Sequence, residues 1–141
     1  MRNAVFALLL LASLGVGCRN SPGTTSPSTT TTGPATETFT GSLDVNGSSF
    51  YSFSVASLGT VSVMLASITM GNPGPAAAIP VSLGLGVPAG IGCGVTTAVT
   101  VAPALTSQIA SSLPAGIYCV NIADIGNMRA PINFAIRIVH H

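Results

Sequence analysis

The side chains that could do acid–base chemistry are few and widely spaced. His140 and His141 are the only imidazoles, and they are the last two residues. Asp44 and Asp124 are the only carboxylate pair that invites comparison with a glycoside hydrolase, where two acids must face one bond. Both stand in turn sequences, where an Asp normally accepts hydrogen bonds from nearby backbone. A nucleophilic triad of His140, Asp124 and a serine would need its base held by a third group and an oxyanion hole beside the nucleophile. A frayed last strand supplies neither, and no Gly-x-Ser-x-Gly elbow is present. His140 is therefore expected to cap the final strand and His141 to be solvated. The glycines around Gly84 and Gly90–Gly94 lack the Lys and the helix start of a phosphate loop.

Cysteine is the remaining chemistry. Arg2 precedes an uncharged, Leu-rich run, AVFALLLLASLGVG, that ends at Gly17 and is followed by Cys18. About 14 residues fall short of the roughly 20 needed to span hydrocarbon, so the run reads as a signal peptide over residues 1–17. Small Gly17 before Cys18 resembles the lipobox of bacterial lipoproteins, in which that Cys receives diacylglycerol and becomes the new N-terminus. The pattern departs from the family at Gly15, where Leu is favoured, and ordinary secretory cleavage after Gly17 is the alternative. Acylation of Cys18 would leave Cys93 and Cys119 as a pair. Export puts them where disulfides persist, and a loop of that length would stabilise the fold by roughly 3.5 kcal/mol. Two thiols without His or carboxylate nearby are too few ligands for zinc, so neither metal nor cofactor is expected.

Residues 19–37, RNSPGTTSPSTTTTGPATE, carry no apolar period and cannot bury enough surface to fold. They read as a linker, extended by Pro and Thr, that could hold a body away from a membrane. Only 5% of the chain is charged. Without the first seventeen residues, Arg19, Arg129 and Arg137 balance Glu37, Asp44 and Asp124. Nucleic acid, which demands several cations on one face, is excluded as a partner.

The elements that would position this chemistry follow a period of two from Thr38 to the C-terminus. Phe39–Leu43 begins a strand, and Asp44–Ser48 supplies a turn in which Asn46-Gly47 suits a tight hairpin. Tyr51, Phe53 and Val55 share a face, as do Val61, Val63 and Leu65. Val81, Leu83, Leu85 and Val87 alternate with Ser82, Gly84 and Gly86. Gly90–Gly94 reads as a flexible loop, Val99 and Val101 as a short strand, and Thr106–Ser112 as a weaker one. Tyr118, Val120 and Ile122 form one face before an Asp124–Asn127 turn. Ile132, Phe134, Ile136 and Ile138 point inward in the last strand, with Asn133 and Arg137 outward. Short strands separated by turns predict an all-β, antiparallel, jelly-roll-like sandwich of about seven to nine strands.

FTGSL (39–43), SFYSFSV (49–55), GTVSVMLASI (59–68), LPAGIYCVNIADIGN (113–127) and FAIRIVHH (134–141) together resemble the bacterial pre-peptidase C-terminal domain. That resemblance covers residues 38–141. It implies a jelly-roll-like sandwich with an accessory role on an exported protein, binding matrix or polysaccharide or aiding secretion. Some members of that family hold calcium through clustered acids; the three acids here are far apart in sequence, and calcium wants six to eight oxygens. Phe50 is the aromatic with the phase to be exposed, and Asp124, Asn127 and Arg129 are the other candidate ligand contacts. The expectation is a non-catalytic exported module, anchored at the outer membrane or cell surface or else periplasmic or extracellular. Its partners would be the membrane and an envelope protein or polysaccharide. Carbohydrate binding is the first alternative and hydrolysis the second.

Overall fold

A computed structural model describes residues 33–141. The expected signal peptide, Cys18 and the expected linker as far as residue 32 lie outside the described residues. Eight strands follow: β1 (Ala35–Leu43), β2 (Ser48–Val55), β3 (Gly59–Thr69), β4 (Val81–Ala89), β5 (Gly92–Val101), β6 (Ile109–Leu113), β7 (Gly116–Ala123) and β8 (Ile132–His140). They form two antiparallel four-stranded sheets, here called A (order β1-β8-β3-β6) and B (order β2-β7-β4-β5). The first strand pairs with the last, the second with the seventh, the third with the sixth and the fourth with the fifth. This is one long hairpin wrapped over itself, the jelly-roll arrangement of a β-sandwich.

Alternation explains which side of each strand is dry. Val61, Val63 and Leu65 of β3, Leu83 of β4, Val120 and Ile122 of β7, and Ile136 and Ile138 of β8 are inaccessible to solvent or nearly so. Phe39 stacks on Tyr51 with centroids 5.0 Å apart, and Tyr51 meets Phe134 edge-on at 6.1 Å. The Tyr51 hydroxyl donates to the Thr40 carbonyl at 3.2 Å. Gly41 permits this, because a Cβ there would collide with that hydroxyl.

Several local expectations are corrected. β1 starts at Ala35, so 35–37, assigned above to the linker, pair with β8. The Asp44–Ser48 turn forms, with Asn46 at φ 58° and Gly47 N–H donating to Asp44 O at 2.9 Å. It makes no hairpin, however: β1 belongs to sheet A and β2 to sheet B, so the turn arches between layers. Only Gly90 and Ile91 separate β4 from β5; Cys93 and Gly94 lie in a ten-residue strand rather than in a loop. Val87 is exposed, because the β4–β5 ladder shifts register between Leu85 and Gly86 and β4 parts from β7 beyond Gly86.

Cys93 and Cys119 form the disulfide. It ties β5 to β7 across the intervening β4. Strands two apart in a flat sheet would be separated by about 9.5 Å, yet the two Cα atoms are 5.8 Å apart. The tip of the β4–β5 hairpin is therefore bent towards β7. Gly86 sits at that bend, where any Cβ would strike the Gly94 carbonyl.

The sandwich has two ends. Ala35, Ala56–Gly59, the Gly90–Ile91 tip, Pro114–Gly116 and His140–His141 lie at one. The Asp44–Gly47 turn, the Asp124–Asn127 loop and Pro80 lie at the other.

Candidate functional site

Concave surface lies on the outer face of sheet A, and β8 floors it. Because Ile132, Phe134, Ile136 and Ile138 fill the core, Asn133, Ala135, Arg137 and Val139 must face outward. β3 supplies the next row, with one irregularity. Its ladder to β8 shifts register between Leu65 and Ser67, so the parity of the strand reverses. Before the shift the outward residues are Ser62 and Met64; after it they are Ser67 and Thr69, and Ile68 enters the core. Thr40 of β1 completes the row opposite Ala135.

Two clefts open on this face. One of about 380 Å³ is lined by Thr40, Gly41, Ser67, Thr69, Asn72, Asn133, Phe134 and Ala135. The second, about 250 Å³, is lined by Ser62, Met64, Leu105, Ser107, Arg137 and Val139. The β5–β6 crossover makes the wall of the second. Gln108 pins it to β3: its Oε1 accepts from Leu65 N–H at 2.6 Å and its Nε2 donates to Ala102 O at 2.7 Å. The Ser107 hydroxyl donates to Ile109 O at 2.8 Å. Arg137 is exposed, and among the described residues no carboxylate comes within ion-pairing distance of it. The hydroxyls and amides of the first cleft suit a hydroxyl-rich ligand, which exchanges hydrogen bonds without burying opposed charge, and the second adds one guanidinium beside the apolar Met64, Leu105 and Val139.

Asp124, Asn127, Arg129 and Phe50 are placed elsewhere. Asp124 Oδ1 accepts the backbone N–H groups of Gly126, Asn127 and Met128 at 2.9, 3.2 and 3.2 Å. Its Oδ2 accepts that of Asn46 at 2.8 Å, from the β1–β2 turn. The Asn46 bond is the largest cause holding the carboxyl below its ordinary value; desolvation, next in size, opposes it, and the Met128, Gly126 and Asn127 bonds add to the lowering. Asn127 Nδ2 donates to Pro80 O at 3.0 Å. Both side chains thus latch three connections together at one end of the sandwich. Arg129 is exposed in the same loop. Phe50, 40% exposed, lies on the outer face of sheet B opposite Asn121, apart from all three.

The frayed terminus expected for the last strand is also corrected. β8 is paired on both sides almost to its end, and His140 is buried beside the Phe53 ring, centroids 5.5 Å apart. Its Nε2 lies 2.7 Å from Glu37 Oε1, and its Nδ1 is buried without a partner. Asp124 is at the far end, so the imagined His140–Asp124 pairing does not form. Sequence reading missed Asn72, Ser67 and Thr69, although the outward phase of Asn133 and Arg137 was available.

No protein-family model matches the chain, and no curated protein matches it either.

Proposed function

We propose that this protein is a non-catalytic exported module, held at a membrane through lipid on Cys18, that binds or structures material outside the cytoplasm. Its body is read as a relative of the pre-peptidase C-terminal sandwich. One observation carries the reading: two neighbouring clefts share a single sheet face, the first lined largely by hydroxyls and amides, the second by Ser62, Ser107 and Arg137 beside Met64, Leu105 and Val139. The way the titratable groups are spent supports the non-catalytic part. The Asp124 carboxylate is occupied by four backbone amides, and the buried His140 faces the partly exposed Glu37.

The hydroxyl and amide lining of the first cleft favours a polysaccharide ligand over a protein one. Pull-down of the native protein on a panel of insoluble and immobilised glycans tests this. Asn133→Ala and Arg137→Ala should each weaken retention several-fold, and Phe50→Ala should leave it unchanged. Retention lost with Phe50→Ala alone would move the site to sheet B. Turnover of a glycan, abolished by Asp124→Asn, would refute the non-catalytic reading.

A further inference from the structure

The end of the sandwich where β1 begins carries large apolar side chains that nothing in the body covers. Leu58, in the β2–β3 connection, is 72% exposed, and Ile117, at the start of β7, is 63% exposed. Ile91, at the β4–β5 tip, is fully exposed. The disulfide draws that tip towards β7, with Cys119 two residues beyond Ile117, so Ile91 and Ile117 are brought towards one corner. The connections at this end, Ala56-Ser57-Leu58, Gly90-Ile91 and Pro114-Ala115, contain no charged residue.

Most charge is placed elsewhere: Asp44, Asp124 and Arg129 are at the opposite end and Arg137 is on the outer face of sheet A, while at this end Glu37 is paired with His140 and His141 is exposed. The described chain starts at Gly33, two residues before β1, so the 32 residues preceding it join the body at the apolar end. Any anchor within that segment is therefore joined to the body through this end and not through the Asp124 end.

We propose that this end docks on a lipid surface, seating Leu58, Ile91 and Ile117 in the interfacial layer while the clefts of sheet A face sideways into solvent. Exposed aliphatic side chains on uncharged connections match the headgroup–acyl boundary, which accepts apolar groups and penalises buried charge. The inference rests on the reading that the chain is held at a membrane.

The chain has no Trp, so one introduced indole reports its own surroundings. Leu58→Trp, Ile91→Trp and Ile117→Trp are made singly in the full chain, with Leu105→Trp on the cleft face and Ile125→Trp at the charged end as controls. Each is mixed with phosphatidylethanolamine–phosphatidylglycerol vesicles, with and without brominated acyl chains. Emission at 58, 91 and 117 should move to the blue and be quenched by bromine, while 105 and 125 stay unmoved. In a Cys18→Ser background, replacing each of the three by Ser should weaken vesicle partitioning on the order of tenfold.

Protein that floats with vesicles but shows no shift at the three positions overturns the docking while leaving the anchor standing. An equal shift at 105 or 125 also overturns it. So does a shift that appears without vesicles and grows with protein concentration, which would assign this end to contacts between copies. The mass of the mature N-terminus reports the lipid separately, so loss of the anchor and loss of the docking are distinguishable.

Discussion

The two ends of the sandwich differ in chemistry, although both expose apolar side chains: Val45, Met70 and Ile125 at one and, more fully, Leu58, Ile91 and Ile117 at the other. One gathers Asp44, Asp124, Arg129, Asn46 and Asn127, and most of its polar capacity is turned back on its own backbone. The other exposes Leu58, Ile91 and Ile117; of its three carboxylate or imidazole side chains Glu37 and His140 face each other and His141 is exposed. In a chain with so few charges, the conspicuous residues close the fold and the inconspicuous ones are left for contact. Asp124 shows why. Its loop would otherwise leave several backbone N–H groups without protein partners, and one carboxylate accepts four of them.

The largest expected effect falls on the apolar end. Reducing the Cys93–Cys119 bridge should lower the unfolding free energy by roughly 3.5 kcal/mol on the chain-entropy account. Urea titration with and without reductant measures it. Amide exchange at Gly92–Gly94 should accelerate while the Asp124 loop is unchanged; acceleration at both ends would erase the distinction between them.

The next effect belongs to the charged end. Asp124→Ala should lower the urea midpoint and flatten its acid dependence. In the native protein the carboxyl is held below its ordinary value, so folding favours the ionised form. That stabilisation is complete above the unfolded value and fades as pH falls from about 4 towards the folded one. A variant with the same acid limb as the native protein would show that Asp124 does not hold this end.

Glu37→Gln is expected to cost less, about 1 kcal/mol, because Glu37 is partly exposed and an amide oxygen can still accept from His140. Arg129→Ala should change stability by no more than about 0.5 kcal/mol.

The inward phase of β3, β7 and β8 was legible in the sequence because Val, Ile and Leu recur at every second position and the core obeys that period. The turn at Asn46 and the pairing of the two inner cysteines were legible from residue type and count. Which strands neighbour one another was not: Asn46-Gly47 is the same signal whether the chain returns within a sheet or crosses to the other. The cleft was only half legible. Asn133 and Arg137 follow from alternation, whereas Ser67 and Thr69 reach that face through a register shift after Leu65 that no residue type announces. His140 appeared free because it is near the end of the chain; its burial depends on Glu37 and Phe53, both distant in sequence.

Native-state hydrogen exchange followed residue by residue tests the contrast between the ends most directly. The amides of Asn46, Gly126, Asn127 and Met128 should be protected well above those of Leu58 and Ile91, and Asp124→Ala should abolish that protection in all four together. Exchange at the four as fast as at Ile91 in the native protein would contradict a closed charged end opposite an open apolar one.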